Sequence, residues 1–330
     1  MITGPSSYDS TMAEFKKHWL SGNTKLAPTP LILTLPDKTS MTQAQFAALH
    51  ATLLTQQDTL QTWAVDAQIA RGNVNVKKAE LLAKFNLFTA LMDGSYQGTG
   101  FYEARPLAPG VTFGKDLFLK PLGDVMKLWK RMNEGVAPAG VTLPLVLGDG
   151  TDQGGFASAV SALCFAYAGL EDLEVDLRIA RGNRNVTQTR AYAAMKMYRE
   201  GAENKFVLHP ELIETLPRLS PLPGHTPDAV NASAVLEGTN QSKVVYDAST
   251  DSMLESYELR GSAGDDYNDE DAVVIATNAP GAPREFITPF GLNQPGAKVA
   301  LKVYVILTTG NEAGSAAMFV ERPASVQLAA

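Results

Sequence analysis

Few residues of this sequence could take part in chemistry, and they are scattered. Its four histidines, His18, His50, His209 and His225, have no metal-ligand spacing, and its single cysteine, Cys164, cannot build a zinc site. The sequence contains no Gly-x-x-x-x-Gly-Lys-Ser/Thr loop for a phosphate and no Gly-x-Ser-x-Gly elbow for a nucleophilic serine. It therefore predicts a protein that is not an enzyme and uses no cofactor. The alternative that the chain is an enzyme with an unrecognised catalytic site stays open.

An acidic run near the C-terminal end is the best candidate metal site. It reads Asp265-Asp266-Tyr267-Asn268-Asp269-Glu270-Asp271. Calcium prefers oxygen ligands, which Asp265, Asp266, Asp269 and Asp271 could supply. The alternative, which we favour, is a solvated loop that keeps the edges of a sheet from pairing with other strands.

An internal repeat organises the first two thirds of the chain. The segment Lys17–Ala83 aligns without gaps to Lys127–Ala193, an offset of 110 residues, with 22 identities in 67 positions. Chance would give roughly four or five identities at ordinary residue usage. In both copies apolar residues recur at steps of three, four and seven, which predicts a helix of about 30 residues. Thr42 and Asp152 are the predicted N-caps of these helices.

The best-kept motif of the repeat predicts a corner. Gly72 and Gly182 would end each long helix, and Asn75 and Asn185 would cap a second helix running back along the first. Binding of an anion or a partner is the alternative. We interpret the motif as architecture and expect two helical hairpins that pack as a four-helix bundle. The predicted corner consists of Arg71, Gly72, Asn73, Asn75, Arg181, Gly182, Asn183 and Asn185.

Two connecting segments differ from the repeat. The stretch after copy one is rich in glycine and aromatic residues. We expect it to form an ordered loop, and the alternative is an interaction loop in which Tyr96, Phe101 and Tyr102 dock a partner. The stretch after copy two carries five prolines between positions 207 and 232. It predicts a stiff linker that holds the last domain away from the helices.

The C-terminal part changes from helical periodicity to alternation, which predicts a β-sandwich. Tyr246 and Tyr257 lie on two of its predicted strands, Gly291-Leu292-Asn293-Gln294-Pro295-Gly296 forms a corner, and Asn311-Glu312-Ala313-Gly314-Ser315 forms the last turn. With these residues the domain resembles the fibronectin type III family, although Val299 stands where that family usually has a tyrosine. The resemblance implies a binding or spacer module without catalytic residues.

Composition and charge limit the partners. The net charge is −7, and no basic stripe suits nucleic acid. Cys164 lies in an apolar run, so we expect a buried thiol. No stretch is expected to span a membrane. The N-terminus lacks the features of a signal peptide, so we expect cytoplasmic synthesis, with release or incorporation into a particle left open.

Together these features predict a multidomain chain, α then β, with a duplicated helical-hairpin unit followed by a fibronectin type III-like β-sandwich. The expected function is a non-enzymatic structural subunit that self-assembles into a filament, tube, shell or other large homo-oligomer. The alternative is an adhesion module for carbohydrate or protein, including an accessory protein of a phage or virion. The predicted segments are copy one at 8–95, a connector at 96–118, copy two at 119–206, the linker at 207–232 and the sandwich at 233–325.

Overall fold

The computed structural model describes residues 8–220, 224–269 and 271–323. These residues form two compact units, one that combines the described residues up to 68 with those from 175 onward and one of residues 69–174. Both boundaries fall inside long helices, α2 (Gln43–Ser95) and α5 (Gln153–Lys205). The compact units therefore do not coincide with the two copies of the repeat.

The unit of residues 69–174 is built on three long helical segments and one short helix. It contains the second half of α2, the short helix α3 (Gly100–Glu103), α4 (Lys115–Glu134) and the first half of α5. Its core centres on Trp129, which is fully buried and lies 5.4 Å from Phe88 and 5.8 Å from Phe156, measured between ring centroids.

The helical part of the other unit repeats this arrangement. It contains α1 (Tyr8–Lys25), the first half of α2 and the second half of α5, with α6 (Pro210–Glu214) behind them. Trp19 is 1% exposed, and its ring lies 5.7 Å from Phe46 and 5.0 Å from Tyr198. The two tryptophans are core anchors, as expected from their recurrence.

The two cores are equivalent through the duplication. Trp19 and Phe46 match Trp129 and Phe156 at the repeat offset, and Tyr198 matches Phe88 at the same offset. Each core thus takes two rings from one copy and the third ring from the far half of the other copy's long helix. Neither copy can complete its own core.

The predicted corner is wrong. Both α2 and α5 are single helices of 53 residues that continue through Gly72 and Gly182. A glycine inside a helix costs only about 1 kcal/mol relative to alanine, whereas the second half of each helix carries the buried residues of a core. In α2 these residues are Val74, Leu81, Phe85, Phe88 and Met92. Tertiary packing therefore outweighs the local tendency to stop, and Asn75 and Asn185 cap no helix.

The predicted N-caps are confirmed. The Thr42 hydroxyl accepts a bond from the Gln45 backbone N–H at 3.3 Å, and the Gln45 side chain accepts one from the Thr42 N–H at 2.8 Å, which makes a capping box. The Asp152 carboxylate accepts a bond from the Gly155 N–H at 2.7 Å. These caps fix where each long helix begins.

The turn before each long helix shows that the repeat is not gap-free in structure. The Asp37 carboxylate accepts a bond from the Thr39 N–H, and the Asp149 carboxylate accepts one from the Thr151 N–H, both at 2.9 Å. These matching turns are 112 residues apart rather than 110. The backbone bond from Thr151, with help from Lys84, lowers the pKa of Asp149 to about 2.

The C-terminal residues form the expected sandwich of antiparallel sheets. One sheet has the order β3 (Ala232–Glu237), β4 (Gln241–Tyr246) and β7 (Glu285–Thr288). The other has the order β10 (Met318–Glu321), β8 (Lys298–Leu307), β5 (Leu254–Ala263) and β6 (Val273–Asn278), with β9 (Glu312–Gly314) also paired to β8. A further small hairpin, β1 (Leu33–Thr34) with β2 (Ser40–Met41), precedes α2.

The residues that suggested the sandwich lie in its core. Tyr246 and Tyr257 are buried with ring centroids 4.8 Å apart, and Val299 is fully buried. At the corner, Gly291 has a φ of +71°, and a Cβ there would lie 3.0 Å from the Val299 Cβ, so the position requires glycine.

The linker does not hold the sandwich away from the helices. Leu212 in α6 belongs to the helical core, and its carbonyl accepts a bond from His18 Nε2 at 2.9 Å. The sandwich and these helices also belong to one compact unit, in which the Gln68 side chain donates to the Lys298 carbonyl at 2.8 Å. The described part of the predicted linker therefore contains a packed segment instead of a free spacer, and residues 221–223, with two of the five prolines, lie outside the described residues.

Replacing the mid-helix glycines tests the continuity of α2 and α5. Space for a Cβ is open at Gly72 and Gly182, so we expect Gly72→Ala and Gly182→Ala each to raise the free energy of unfolding by about 0.5–1 kcal/mol. Gly22→Ala is the control and should destabilise, because its Cβ would lie 2.4 Å from Phe206 Cζ. Urea titration measures all three variants, and destabilisation by Gly72→Ala would contradict a continuous helix.

His18 makes stability depend on pH. Its Nε2 donates to the Leu212 carbonyl, so in the neutral ring Nδ1 accepts from the Tyr198 hydroxyl at 2.7 Å. Burial lowers the pKa of His18 in the folded chain. Below pH 6.5 the unfolded chain then binds a proton that the folded chain does not, so stability falls as the pH drops through this value, by at most about 1.4 kcal/mol per pH unit.

The comparison with His18→Gln isolates this effect from the other histidines. We expect the difference in unfolding free energy between wild type and His18→Gln to shrink between pH 7.5 and pH 5, measured by urea titration. A difference that grows on acidification would show that the folded state favours the charged imidazole.

Candidate interaction surface

The repeated motif lies on the exposed faces of the two long helices. Asn73 and Asn75 are exposed on α2, and Asn183 and Asn185 are exposed on α5. Within residues 8–220, 224–269 and 271–323, the side chains of Asn73, Asn75 and Asn183 have no hydrogen-bond partner, whereas Asn185 accepts bonds from its neighbour Arg184. Contacts within the described part of a single chain therefore do not account for Asn73, Asn75 and Asn183.

Arg71 and Arg181 differ in their partners. Arg71 donates to Glu174 at 2.9 Å, and both side chains are nearly half exposed, so this pair contributes little to stability. Arg181 donates through Nε to the Asp271 carboxylate of the sandwich at 2.8 Å. Arg184, which replaces the Val74 of copy one, is 2% exposed and donates to the same carboxylate at 3.0 Å.

A groove in the unit of residues 69–174 contains one end of the motif. We call it groove A; its volume is about 620 Å³, and Phe165 on its α5 side is 77% exposed. An exposed phenylalanine beside small residues makes an apolar surface open to a partner. Groove A is lined by Ala70, Asn73, Lys77, Ala162, Phe165, Ala166, Gly169 and Leu173.

A smaller groove in the other unit contains the second copy of the motif. We call it groove B; its volume is about 150 Å³, and Trp63 and Ile179 supply its large apolar surfaces. Ile179 is exposed, and Trp63 is partly exposed. Groove B is lined by Thr55, Gln56, Thr59, Trp63, Ile179, Ala180 and Asn183.

The two grooves are equivalent in sequence. Ala70 and Asn73 of groove A match Ala180 and Asn183 of groove B at the offset of 110 residues. Four positions of groove A on α5 match Thr55, Gln56, Thr59 and Trp63 of groove B at the same offset. The largest difference is the exposed Phe165, which stands where copy one has Thr55.

The apolar stretch of α5 is less covered than expected. Cys164 is exposed, so the prediction of a buried thiol is wrong; the apolar stripe of α5 turns Leu163 inward and its two C-terminal neighbours outward.

By length and composition alone α5 could cross a membrane, contrary to the expectation from sequence, and 17% of its most apolar window is buried. One such helix is weak support for a membrane span, because a helix of a soluble protein can pass the same test.

The aromatic loop after copy one is mainly part of the core. Tyr96 is 1% exposed and lies 6.2 Å from Phe101 in an edge-to-face arrangement, so it is not available to a ligand. Tyr102 is partly buried under the Arg105 guanidinium, 4.8 Å from its ring centroid. The structure thus places these three residues in packing contacts.

The buried Lys78 fixes the connector that follows this loop. Its ammonium group donates to the carbonyls of Val111 at 3.1 Å and Phe113 at 2.7 Å, and burial lowers its pKa. It also lies 5.0 Å from the centroid of the Phe118 ring. Sequence reasoning missed this residue because a lysine on a helix is usually solvated.

The described carboxylates of the acidic run do not gather at one point, and Glu270 lies outside the described residues. Asp265 and Asp266 are exposed, Asp271 binds Arg181 and Arg184, and Asp269 accepts a bond from the Tyr304 hydroxyl at 2.6 Å. Burial, together with Asp269, raises the pKa of Tyr304 to about 12, so the phenol remains a donor. In the described part of the chain no group of three or more Asp, Glu, His or Cys residues could hold a metal ion. The proposed calcium ligation is therefore not supported by the positions of these side chains.

A polar groove beside the sandwich is dominated by one internal ion-pair network. It has a volume of about 660 Å³, and Arg260 lies in it between Glu258 and Glu312, at 2.7 and 2.6 Å. Burial alone would lower the pKa of Arg260, but the two carboxylates outweigh it and raise the pKa. Arg260 thus neutralises part of the negative charge of the groove, whose lining also contains Asp9, Glu14 and Glu255.

Comparison with known proteins finds likeness in the C-terminal domain. No family model matches the chain, and no curated protein matches it. A Fn3-like protein from Clostridium thermocellum is 22% identical over 30% of this chain and 96% of its own, with a TM-score of 0.25. A human fibronectin type III domain is 24% identical over 34% of this chain and 90% of its own, with a TM-score of 0.26. The fn3 domain of human contactin 1 is 18% identical, covers 34% and 89%, and has a TM-score of 0.26.

Asp271 joins the sandwich to α5, and its removal tests this role. Asp271→Ala leaves the buried Arg184 without one of its partners, so we expect a loss of about 3 kcal/mol of unfolding free energy. Asp265→Ala in the same loop is the control and should change stability by less than about 0.5 kcal/mol. Urea titration compares the two variants, and equal effects would contradict the contact between Asp271 and Arg184.

Added calcium should leave the melting temperature of the wild type unchanged, whereas a rise would support metal ligation by the acidic run.

Proposed function

We propose that this protein is a non-enzymatic structural subunit that self-assembles. The main support is the pair of exposed, largely apolar grooves at equivalent places in the two copies of the repeat. Exposed apolar surface of this kind lowers its free energy by contact with another protein surface. Two related grooves on one chain suit repeated contacts, from which a filament, tube or shell grows.

The histidines give no support to an enzyme. His18 is bound by Tyr198 and Leu212 inside a helical core, and His50 lies against Asp9 at 2.7 Å with Lys16 at its other nitrogen. His225 pairs with Asp251 on the sandwich. The Thr215 hydroxyl lies 3.4 Å from His18 Nε2, but that nitrogen donates to the Leu212 carbonyl and the hydroxyl donates to the Glu211 carbonyl at 2.7 Å. His18 is therefore not placed to activate this hydroxyl as a nucleophile.

The sandwich favours a second candidate function, the binding of another protein. The outer face of its three-stranded sheet exposes Val235, Val245 and Ile287 around Lys243. Such a face can add contacts between subunits or bind a separate protein, and carbohydrate binding is the remaining alternative for this domain. The sandwich belongs to the same compact unit as helix α1, so an assembly built through the helices would include the sandwich.

Sedimentation velocity of the full chain tests the proposed function. We expect species larger than the monomer to increase with concentration between about 1 and 200 µM, because contacts that bury a few large apolar side chains have micromolar to millimolar affinity. Negative-stain microscopy of the concentrated sample then shows whether these species are ordered. A strict monomer throughout this range would contradict self-assembly.

A further inference from the structure

We propose that Phe165 of one chain inserts into groove B of another, which gives a directional contact between copies. This inference rests on the proposed self-assembly and names the surfaces that perform it. The two surfaces are different parts of the same chain, so each copy offers both.

Phe165 has the exposure that an inserting residue needs. Its side chain is 77% exposed, and its helical neighbours Ala162, Ala166 and Gly169 are small. Because these neighbours are small, the ring projects beyond the surface around it, and another helix can approach that surface closely. Burial of this phenylalanine in a contact is favourable because its ring is removed from water.

Groove B has the size and lining that a phenyl ring needs. Its volume is about 150 Å³, and Trp63, Ile179 and Ala180 supply apolar walls. An enclosed apolar cavity of about 150 Å³ accepts a benzene molecule, which is the size of the phenylalanine ring. Groove B has a similar volume but is open to solvent, and Thr55, Gln56, Thr59 and Asn183 supply the rest of its lining. Trp63 adds an aromatic surface against which a second ring can pack.

The duplication explains why groove B is open. Groove A and groove B share the alanine and the asparagine of the repeated motif, but copy two has Phe165 where copy one has Thr55. One groove thus carries a large exposed ring, and its equivalent lacks that ring. A chain with a projecting group in one place and a matching recess in another makes heterologous contacts, which form rings if they close and filaments if they do not.

Exchanging residues between the equivalent positions provides the test. Phe165→Thr removes the ring and introduces the residue of copy one, whereas Thr55→Phe fills the recess with the residue of copy two. Both positions are exposed, so we expect each variant to fold with unchanged circular dichroism and melting. Phe319→Thr is the matched control, because Phe319 on the sandwich is 57% exposed.

Sedimentation velocity of the full chain measures the effect. We expect Phe165→Thr and Thr55→Phe each to raise the protein concentration at which half of the chains are assembled by about 10- to 100-fold, because each variant loses the burial of one phenylalanine ring. Phe319→Thr should assemble as the wild type does.

Each outcome has a definite meaning. If the wild type assembles and both swaps assemble equally well, the insertion is overturned while self-assembly stands. If only one swap weakens assembly, the pairing of Phe165 with groove B is overturned. If the wild type is a monomer at every concentration, the proposed function and this inference both fail. If the wild type instead floats with phosphatidylcholine vesicles and Phe165→Thr does not, Phe165 binds a membrane and the inference is overturned.

Cross-linking locates the contact independently of affinity. Cys164 is the only cysteine and stands beside Phe165, so a thiol introduced by Thr59→Cys in groove B should join it in another chain through a short bis-maleimide. We expect a ladder of covalent multimers, which Cys164→Ser removes. Ser233→Cys on the exposed face of β3 is the control for random collision. A ladder of equal intensity from Ser233→Cys would overturn the insertion.

Discussion

Each helical core depends on an aromatic ring that its own copy of the repeat cannot provide. Trp19 and Phe46 need Tyr198, and Trp129 and Phe156 need Phe88. These third rings lie in the far halves of α5 and α2, so the long helices must continue through Gly72 and Gly182. The buried area of each core outweighs the small local cost of a glycine inside a helix.

This exchange also decides which surfaces remain exposed. The continuous helices carry the motif Ile-Ala-Arg-Gly-Asn-x-Asn-Val along their outer faces, where Asn73 and Asn183 reach no partner in the described part of the chain. Alanine and asparagine of this motif line grooves A and B in the two units. The proposed contact with another copy of the chain gives these exposed asparagines and the apolar walls of the grooves a role, whereas Arg181 of the same motif binds Asp271 within the chain.

The sequence was sufficient for the parts of the fold that depend on periodicity. The repeat, the caps at Thr42 and Asp152, the tryptophan anchors and the sandwich with its buried Tyr246 and Tyr257 all follow from spacing and residue type. The corner at Gly72 was mispredicted because turn chemistry is local, whereas the far half of α2 is held by α4 and α5. Cys164 was misplaced for a related reason, since an apolar run does not indicate which of its members face outward. The roles of Asp271 and Lys78 depend on contacts between distant segments, for which spacing gives no signal.

The accessibility of Cys164 is the most direct measurement of the proposed contact, because this thiol is exposed in the single chain and stands next to Phe165. The rate of its reaction with a small maleimide is to be followed as the protein concentration is raised through the range of assembly. If Phe165 inserts into groove B of a second chain, the rate should fall as the assembled fraction rises, and Thr55→Phe should shift this fall to higher concentration. A rate that stays constant while the protein assembles would contradict the contact.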